Sequence, residues 1–332
     1  MAFETFLGNE AAKKQLSAFI ADGRFPHALL LEGPVGCGKK TLARMIAQAA
    51  VCAGGFSPED RPCGGCSDCI KALAGSHPDI TMVLPENDSE VYKMKRVREI
   101  REQAFLIPNE AEKRVIILCD AHLMREDVQN VLLRILEDPP AHLMFVLTCE
   151  SRSQMLETIQ SRTVCVSLRG VSADIAVPYL AEQCPRAKTE DIQAALTMFD
   201  GSIGQALESL KKSNFSEVRL LVEEGVAALS MQNELPLLEW SAKMLKKKDL
   251  TVSVIRGLRL VLRDVLAVLE GEPSRLSIAP KKAAEVAGKL TATQVVACMD
   301  ELEKLEKYID SRMNQVLQNT LLCARLRKAI EG

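Results

Sequence analysis

The stretch Gly33-Pro34-Val35-Gly36-Cys37-Gly38-Lys39-Lys40-Thr41 follows an apolar run, Ala28-Leu29-Leu30-Leu31, and precedes a helical pattern from Leu42 to Ala50. Strand, glycine loop and helix in that order are the setting in which G-x-x-x-x-G-K forms a phosphate cradle. Gly33, Gly36 and Gly38 let backbone N–H groups close around phosphates, and the helix N-terminus adds the positive end of its dipole. Lys39 is the residue that would reach the terminal phosphates. The next position is normally Ser or Thr, whose hydroxyl holds Mg²⁺, and here it is Lys40. Slipping the register by one, so that Thr41 becomes the metal ligand, would need glycine at 34 and 39, where the chain has Pro34 and Lys39. The loop keeps its shape while an ammonium group stands close to the place of the divalent cation.

Working outward, Glu10 to Ile20 carries apolar residues at helical spacing, and Arg24-Phe25-Pro26-His27 leads into the first strand. Ile80 to Leu84 predicts a second strand, and Met94 to Phe105 an amphipathic helix. Arg114-Val115-Ile116-Ile117-Leu118-Cys119-Asp120 predicts a buried strand ending in an acid. In P-loop proteins that acid supports Mg²⁺. The helical stretch from Asn130 to Leu136 is closed by Glu137-Asp138-Pro139-Pro140. Leu143 to Thr148 is a further strand, with Thr148 where a polar γ-phosphate sensor would lie, and the stretch Ile159 to Val166 follows, placing Arg162 shortly after the last core strand. Strands alternating with helices through residue 168 predict an α/β fold with a parallel sheet covered on both faces.

Beyond Leu168-Arg169-Gly170 no stretch is convincing as a strand. Residues 172–210 give a small helical unit, and 215–331 several longer amphipathic helices. The domains expected are therefore 1–168, 169–211 and 212–332. In the last, the run Lys243 to Lys248 and Arg256, Arg259 and Arg263 form a basic helical region. A solvated or subunit-facing surface is the simpler reading than a nucleic-acid face.

The whole chain of 332 residues has a formal net charge of −2, which argues against nucleic-acid binding by bulk electrostatics. Aromatic residues make up only 4%, which weakens any scheme built on base stacking. No apolar run approaches the roughly 18 residues of a membrane span, and Met1-Ala2-Phe3-Glu4 lacks a signal-peptide pattern. The expectation is a cytoplasmic protein with no membrane partner.

Seven of the eleven cysteines are scattered singly, and small buried apolar roles suffice for most of them. Cys52, Cys63, Cys66 and Cys69 are clustered. Two overlapping C-x-x-C steps plus a fourth Cys eleven residues upstream fit a tetrahedral four-thiolate zinc site. With all four positions filled by protein, such a site is structural. Disulfides belong to oxidising compartments, and a thioredoxin-like redox pair lacks its fold context here. A DNA-reading finger would want flanking basic residues, and only Arg61 and Lys71 are near.

Phe25-Pro26-His27-Ala28-Leu29-Leu30, the phosphate loop, the four-cysteine insertion, Leu136-Glu137-Asp138-Pro139-Pro140 and Ser161-Arg162 follow one another in order over residues 1–168. Together they resemble the bacterial clamp-loader subunits of the DNA polymerase III holoenzyme, which are AAA+ proteins. The resemblance implies an AAA+ nucleotide-binding-like domain with a zinc insertion at 52–69, a helical lid, and an all-α collar that assembles with other subunits. Within that family the gamma/tau subunits hydrolyse ATP and delta-prime does not. This sequence departs from the hydrolysing pattern three times: Lys40 for the Mg²⁺-binding hydroxyl, Ala121 for the catalytic Glu after Asp120, and Gly204 where the lid would offer an arginine. The departures place it on the delta-prime side. Thr163 replaces the Cys usual after Ser-Arg, a change that leaves the guanidinium in place.

What the resemblance implies for function is asymmetric. Arg162, with Ser161, would serve as an arginine finger in trans to a neighbouring ATP site, an interaction worth roughly 10³–10⁵ in rate in the best-known cases. Partners implied are gamma/tau and delta subunits, with the sliding clamp and primed DNA met through the assembly. For the chain's own loop the residues leave two states open. Lys39 and the glycines hold phosphates without metal, or Lys39 and Lys40 form a cationic patch on an empty loop. Two other functions compete: an ATP-hydrolysing gamma/tau-type subunit, and a zinc-ribbon DNA-binding protein with a vestigial P-loop.

Overall fold

The computed structural model describes residues 3–54, 57, 60–86, 92–211, 215–231, 233–244, 248–272, 278–309 and 315–331. They divide into two compact units, residues 1–175 with 202–204, and residues 176–201 with 205–332.

The first unit is built on five parallel strands: β1 (Ala28–Glu32), β2 (Ile80–Val83), β3 (Arg114–Leu118), β4 (Leu143–Cys149) and β5 (Val164–Ser167). Their order across the sheet is β2-β3-β4-β1-β5. The helices before and between them are α1 (Glu10–Ala21), α2 (Lys39–Val51), α3 (Ser67–Leu73), α4 (Met94–Ala104), α5 (Glu126–Glu137) and α6 (Glu157–Gln160). The central strands are apolar along their whole length because both faces are covered, as parallel sheets require. Leu29, Leu31, Val115, Ile117 and Val146 point to one side and pack on Leu16 and Ile20 of α1 and Leu42 and Ile46 of α2. Leu30, Ile116, Leu118, Phe145 and Leu147 point to the other and pack on Val97 and Ile100 of α4 and Val128, Leu132 and Ile135 of α5. In α5 the buried positions Val128, Leu132, Ile135 and Leu136 recur at helical spacing. Each such side chain contributes about 1.5–3 kcal/mol by burial.

A buried ion pair ties the connection before β3 to the turn before β2. Asp79 accepts the N–H groups of Asn109, Glu110 and Ala111 at 2.7, 2.8 and 3.0 Å, and one Arg114 N–H at 3.3 Å. Arg114 spends further donors on the carbonyls of Leu106 and Ile107. Burial alone would raise the Asp79 carboxyl, but the three backbone donors and Arg114 hold it below its usual range.

The remaining helices are α7 (Ala173–Gln183), α8 (Thr189–Met198), α9 (Ile203–Lys211), α10 (Phe215–Leu229), α11 (Leu235–Ala242), α12 (Lys248–Leu269), α13 (Pro280–Ala287), α14 (Ala292–Ile309) and α15 (Gln315–Glu331). In the second unit α10 and α11 meet at Trp240, whose indole donates to the Leu221 carbonyl at 2.7 Å. Two of the three arginines of the basic stretch on α12 are paired, while Arg263 is exposed. Arg256 and Arg259 bind Glu306 of α14 at 2.6 and 2.8 Å, and the Arg256 guanidinium lies 5.8 Å from the centre of the Phe199 ring. Of the lysine run before it, Lys246 and Lys247 lie outside the described residues. No helix among the described residues is long and apolar enough to cross a membrane.

Candidate functional site

The parallel order brings the carboxyl ends of β1, β3 and β4 to one edge, so Gly33, Asp120 and Thr148 gather there. The Gly33 N–H donates to the Cys149 carbonyl at 3.2 Å. The loop then turns into α2 through Gly38, whose φ of 95° and approach to the Phe6 ring suit only glycine. Two lysines now stand in the first turn of α2, with no acid there to meet the helix dipole. Cations at that end are disfavoured by about 0.3–1 kcal/mol each. Each lysine is compensated in its own way.

Lys39 is buried and folds back on its own loop, donating to the carbonyls of Gly33 and Pro34 at 2.5 and 2.8 Å. Lys40 reaches across to Asp120, with Nζ 2.7 Å from Oδ2. Asp120 in turn donates its N–H to the hydroxyl of buried Thr148 at 2.8 Å. Thr41 is exposed on the first turn of α2. Ser202 donates its hydroxyl to the Val35 carbonyl at 2.8 Å, and the Gly204 N–H donates to the Gly36 carbonyl at 3.0 Å. The arrangement does not fit a magnesium–nucleotide. The acid that would support the metal carries an ammonium, and the lysine that would meet phosphate is spent on carbonyls.

The four clustered cysteines meet at one point. Their sulfurs lie within 4.8 Å of one another, with Cys52 to Cys66 at 3.9 Å and Cys63 to Cys69 at 4.0 Å. A tetrahedron with arms of about 2.3 Å has edges of about 3.8 Å, whereas a disulfide needs about 2.05 Å. Backbone N–H groups of Cys63, Cys66 and Cys69 point at the sulfurs of Cys52, Cys63 and Cys66, at 3.5, 3.4 and 3.4 Å. Burial opposes the Cys66 thiolate, yet N–H donors of Cys69 and Gly54 bring that thiol down to about 6. The donor set and spacing fit zinc, which these four residues would hold as a closed structural centre. Asp68, His77 and Glu110 also converge nearby. There His77 Nδ1 accepts the Asp79 N–H, which leaves the ring proton on Nε2, and Lys71 sits on Glu110 at 2.5 Å. That cluster is a polar seam and not a ligand set.

Arg162 occupies the opposite edge. Continuing the pairing of Leu29 with Val164 back by two residues sets Arg162 level with His27. Both line one open cleft with Leu136, Glu137, Ser161, Thr163 and Val164. Six residues of strand separate His27 from Gly33, roughly 20 Å at about 3.3 Å each. Arg162 cannot serve its own loop. Its guanidinium donates to the Thr158 carbonyl at 3.0 Å and the Ser161 hydroxyl at 3.2 Å, and pairs with Glu137 at 3.0 Å.

The family described as DNA polymerase III, delta subunit matches residues 8–172. The delta' subunit of Bacillus subtilis DNA polymerase III is 27% identical over 272 residues, covering 79% of this chain and 78% of that one. The delta' subunit of Pseudomonas aeruginosa is 32% identical over 214 residues, 62% of each chain. Together these matches support a delta-prime subunit of DNA polymerase III. The gamma/tau subunit of Mycobacterium tuberculosis is also similar, 36% identical over 162 residues, 49% of this chain. The chain spans only 28% of the length of that relative and 40% of the Bacillus subtilis tau subunit. A solved gamma subunit-related protein of Thermotoga maritima shares the fold, with a TM-score of 0.51 at 14% identity, covering 95% of this chain and 99% of that one. Likeness to delta-prime and to gamma/tau relatives alike leaves the division between them to individual residues. Sequence reasoning singled out Lys40, Asp120 and Arg162 but missed what joins them: the Lys40–Asp120 pair and the Glu137 partner of Arg162. In the sequence Glu137 is only part of a helix-ending motif, and opposite charge alone does not announce a contact between distant positions.

Proposed function

We propose that this chain is a non-hydrolysing clamp-loader subunit that lends Arg162 to the ATP site of a neighbouring gamma/tau-type subunit. The observation that carries the reading is the 2.7 Å pairing of Lys40 with Asp120, which puts a fixed cation where a hydrolysing site needs a mobile divalent one. The distance of Arg162 from its own loop supports action in trans. Arg suits that task because its planar fork stays charged and meets phosphate oxygens two at a time. Cys52, Cys63, Cys66 and Cys69 hold zinc in this scheme, residues 169–211 act as the lid, and 212–332 as the collar that meets gamma/tau and delta subunits. The sliding clamp and primed DNA are reached through the assembly in the bacterial cytoplasm.

The deciding experiment is ATP hydrolysis by a reconstituted loader carrying wild-type chain, Arg162→Ala or Lys39→Ala. Arg162→Ala is expected to cut turnover at the neighbouring site by about tenfold or more, with Lys39→Ala unchanged. Loss in Lys39→Ala with Arg162→Ala unaffected would mean that the loop is a working site and would overturn the proposal.

A further inference from the structure

The Arg162 guanidinium has five N–H donors. Nη1 donates to the Thr158 carbonyl and the Ser161 hydroxyl, and Nη2 lies 3.0 Å from Glu137 Oε1 as an ion pair. Among the described residues no hydrogen-bond acceptor meets Nε–H. A guanidinium held by two hydrogen bonds and an ion pair, with donors to spare, is a prepared group and not a loose surface side chain.

The three holding groups differ in origin. Thr158 and Ser161 belong to α6 and the residue that ends it, the same turn of chain that carries Arg162. Glu137 comes from elsewhere. It is the last residue of α5, directly after Ile135 and Leu136, which are buried against the sheet, and directly before Asp138-Pro139-Pro140. Its backbone is therefore fixed by the core, and among the described residues it is the one polar contact that references Arg162 to the sheet instead of to its own turn. Both side chains are part exposed, 35% for Arg162 and 53% for Glu137. Solvent screens the charge of such a pair, so the fixed position of the acceptor matters more than its charge.

We infer that Glu137 is a positioning residue for Arg162, holding the guanidinium by Nη2 in the orientation from which it meets an anionic group of a neighbouring subunit. This rests on the reading of Arg162 as a group acting in trans. A side chain already held does not have to surrender its rotamer freedom at the moment of engagement, and small misplacements of such groups are costly.

The test uses the reconstituted loader, with kcat and KM for ATP measured for single and double variants, and incorporation of each variant checked by gel filtration. Glu137→Ala is expected to lower kcat by about three- to tenfold, with KM within about twofold, since it disturbs orientation and not nucleotide affinity. Glu137→Gln keeps an acceptor at the same place and is expected to retain more than half of the wild-type kcat. Glu137→Ala added to Arg162→Ala is expected to cost nothing further, because a residue that acts only through Arg162 has no effect in its absence. Unchanged or raised kcat in Glu137→Ala, equal losses in the Ala and Gln variants, or additive loss in the double variant would each overturn the inference while leaving Arg162→Ala defective. If Arg162→Ala itself is without effect, the arginine-finger reading fails first, and the assignment of Glu137 falls with it.

Discussion

Lys40 Nζ lies 2.7 Å from Asp120 Oδ2, and the two residues come from the first turn of α2 and the residue pair after β3. A lysine at position 40 thus has two effects on the proposed site: no hydroxyl stands there, and the acid behind it is paired with an ammonium. The pair is part exposed and contributes on the order of 0–1 kcal/mol to stability, so it is removable without unfolding the chain. Lys40→Thr is expected to release Asp120 and to raise Mg²⁺-dependent affinity for a non-hydrolysable ATP analogue by about tenfold or more, equivalent to about 1.4 kcal/mol. Turnover should stay absent, because Ala121 supplies no acid. Calorimetric titration with and without Mg²⁺ checks the first part. Equal affinity in both conditions would show that the ion pair does not block the metal position.

The cysteine centre makes a prediction about composition before function. Elemental analysis of the purified chain should find one zinc per chain, and Cys69→Ser should abolish it, since Cys69 is fully buried at the centre of the set. Chelation at neutral pH should lower the melting temperature and open residues 52–73 to protease, because a site of this kind is assembled by its metal. A metal-free chain with an unchanged melt would show that the sulfurs are held by the fold alone.

Asp79 and Arg114 form a pair that is structural throughout. Removing one partner of a buried pair leaves the other uncompensated, which costs about 3–5 kcal/mol, so Asp79→Ala should be destabilised by that amount in chemical denaturation. The Asp79 carboxyl titrates below the value of 3.8 of an unfolded chain. Its contribution is therefore complete above about pH 4 and is lost as pH falls through the lower folded value. Melts from pH 7 down to 3 should drop less steeply at the acid end for Asp79→Asn than for wild type. Parallel curves would show that other carboxylates govern acid unfolding.

In the helical unit, Gly225 offers a test of opposite sign from the usual rule. Gly to Ala inside a helix ordinarily stabilises by about 0.5–1 kcal/mol. Here a Cβ would come within 2.7 Å of the Trp240 ring, which is itself fixed by its bond to Leu221. Gly225→Ala should destabilise by about 1–3 kcal/mol, seen as a lower melting temperature and altered tryptophan fluorescence. A stabilised variant would mean that α10 and α11 separate more easily than their packing indicates.

Much of this architecture was open to inspection in the sequence, for identifiable reasons. Strands such as Val115 to Leu118 and Leu143 to Thr148 are uninterrupted apolar runs because both faces are covered, and each ends at a residue whose chemistry marks the sheet edge. The cysteines announce their convergence by spacing alone. What spacing does not carry is the choice of partner among distant polar groups. Nothing local pairs Lys40 with Asp120, Glu137 with Arg162, or Asp79 with Arg114. The basic look of α12 was likewise incomplete, since the acid that meets Arg256 and Arg259 lies about fifty residues on, at Glu306.

The contact between Gly204 and Gly36 decides what position 204 can carry. A Cβ at 204 would lie 2.7 Å from the Gly36 carbonyl oxygen and 3.0 Å from its Cα, both rigid backbone atoms. No side chain of any kind fits there unless the loop first moves, yet the loop is held in place by Lys39, by Ser202 and by Gly204 itself. Placing an arginine at 204 therefore displaces the backbone of the glycine loop, so any side chain at that position reports whether the loop has opened.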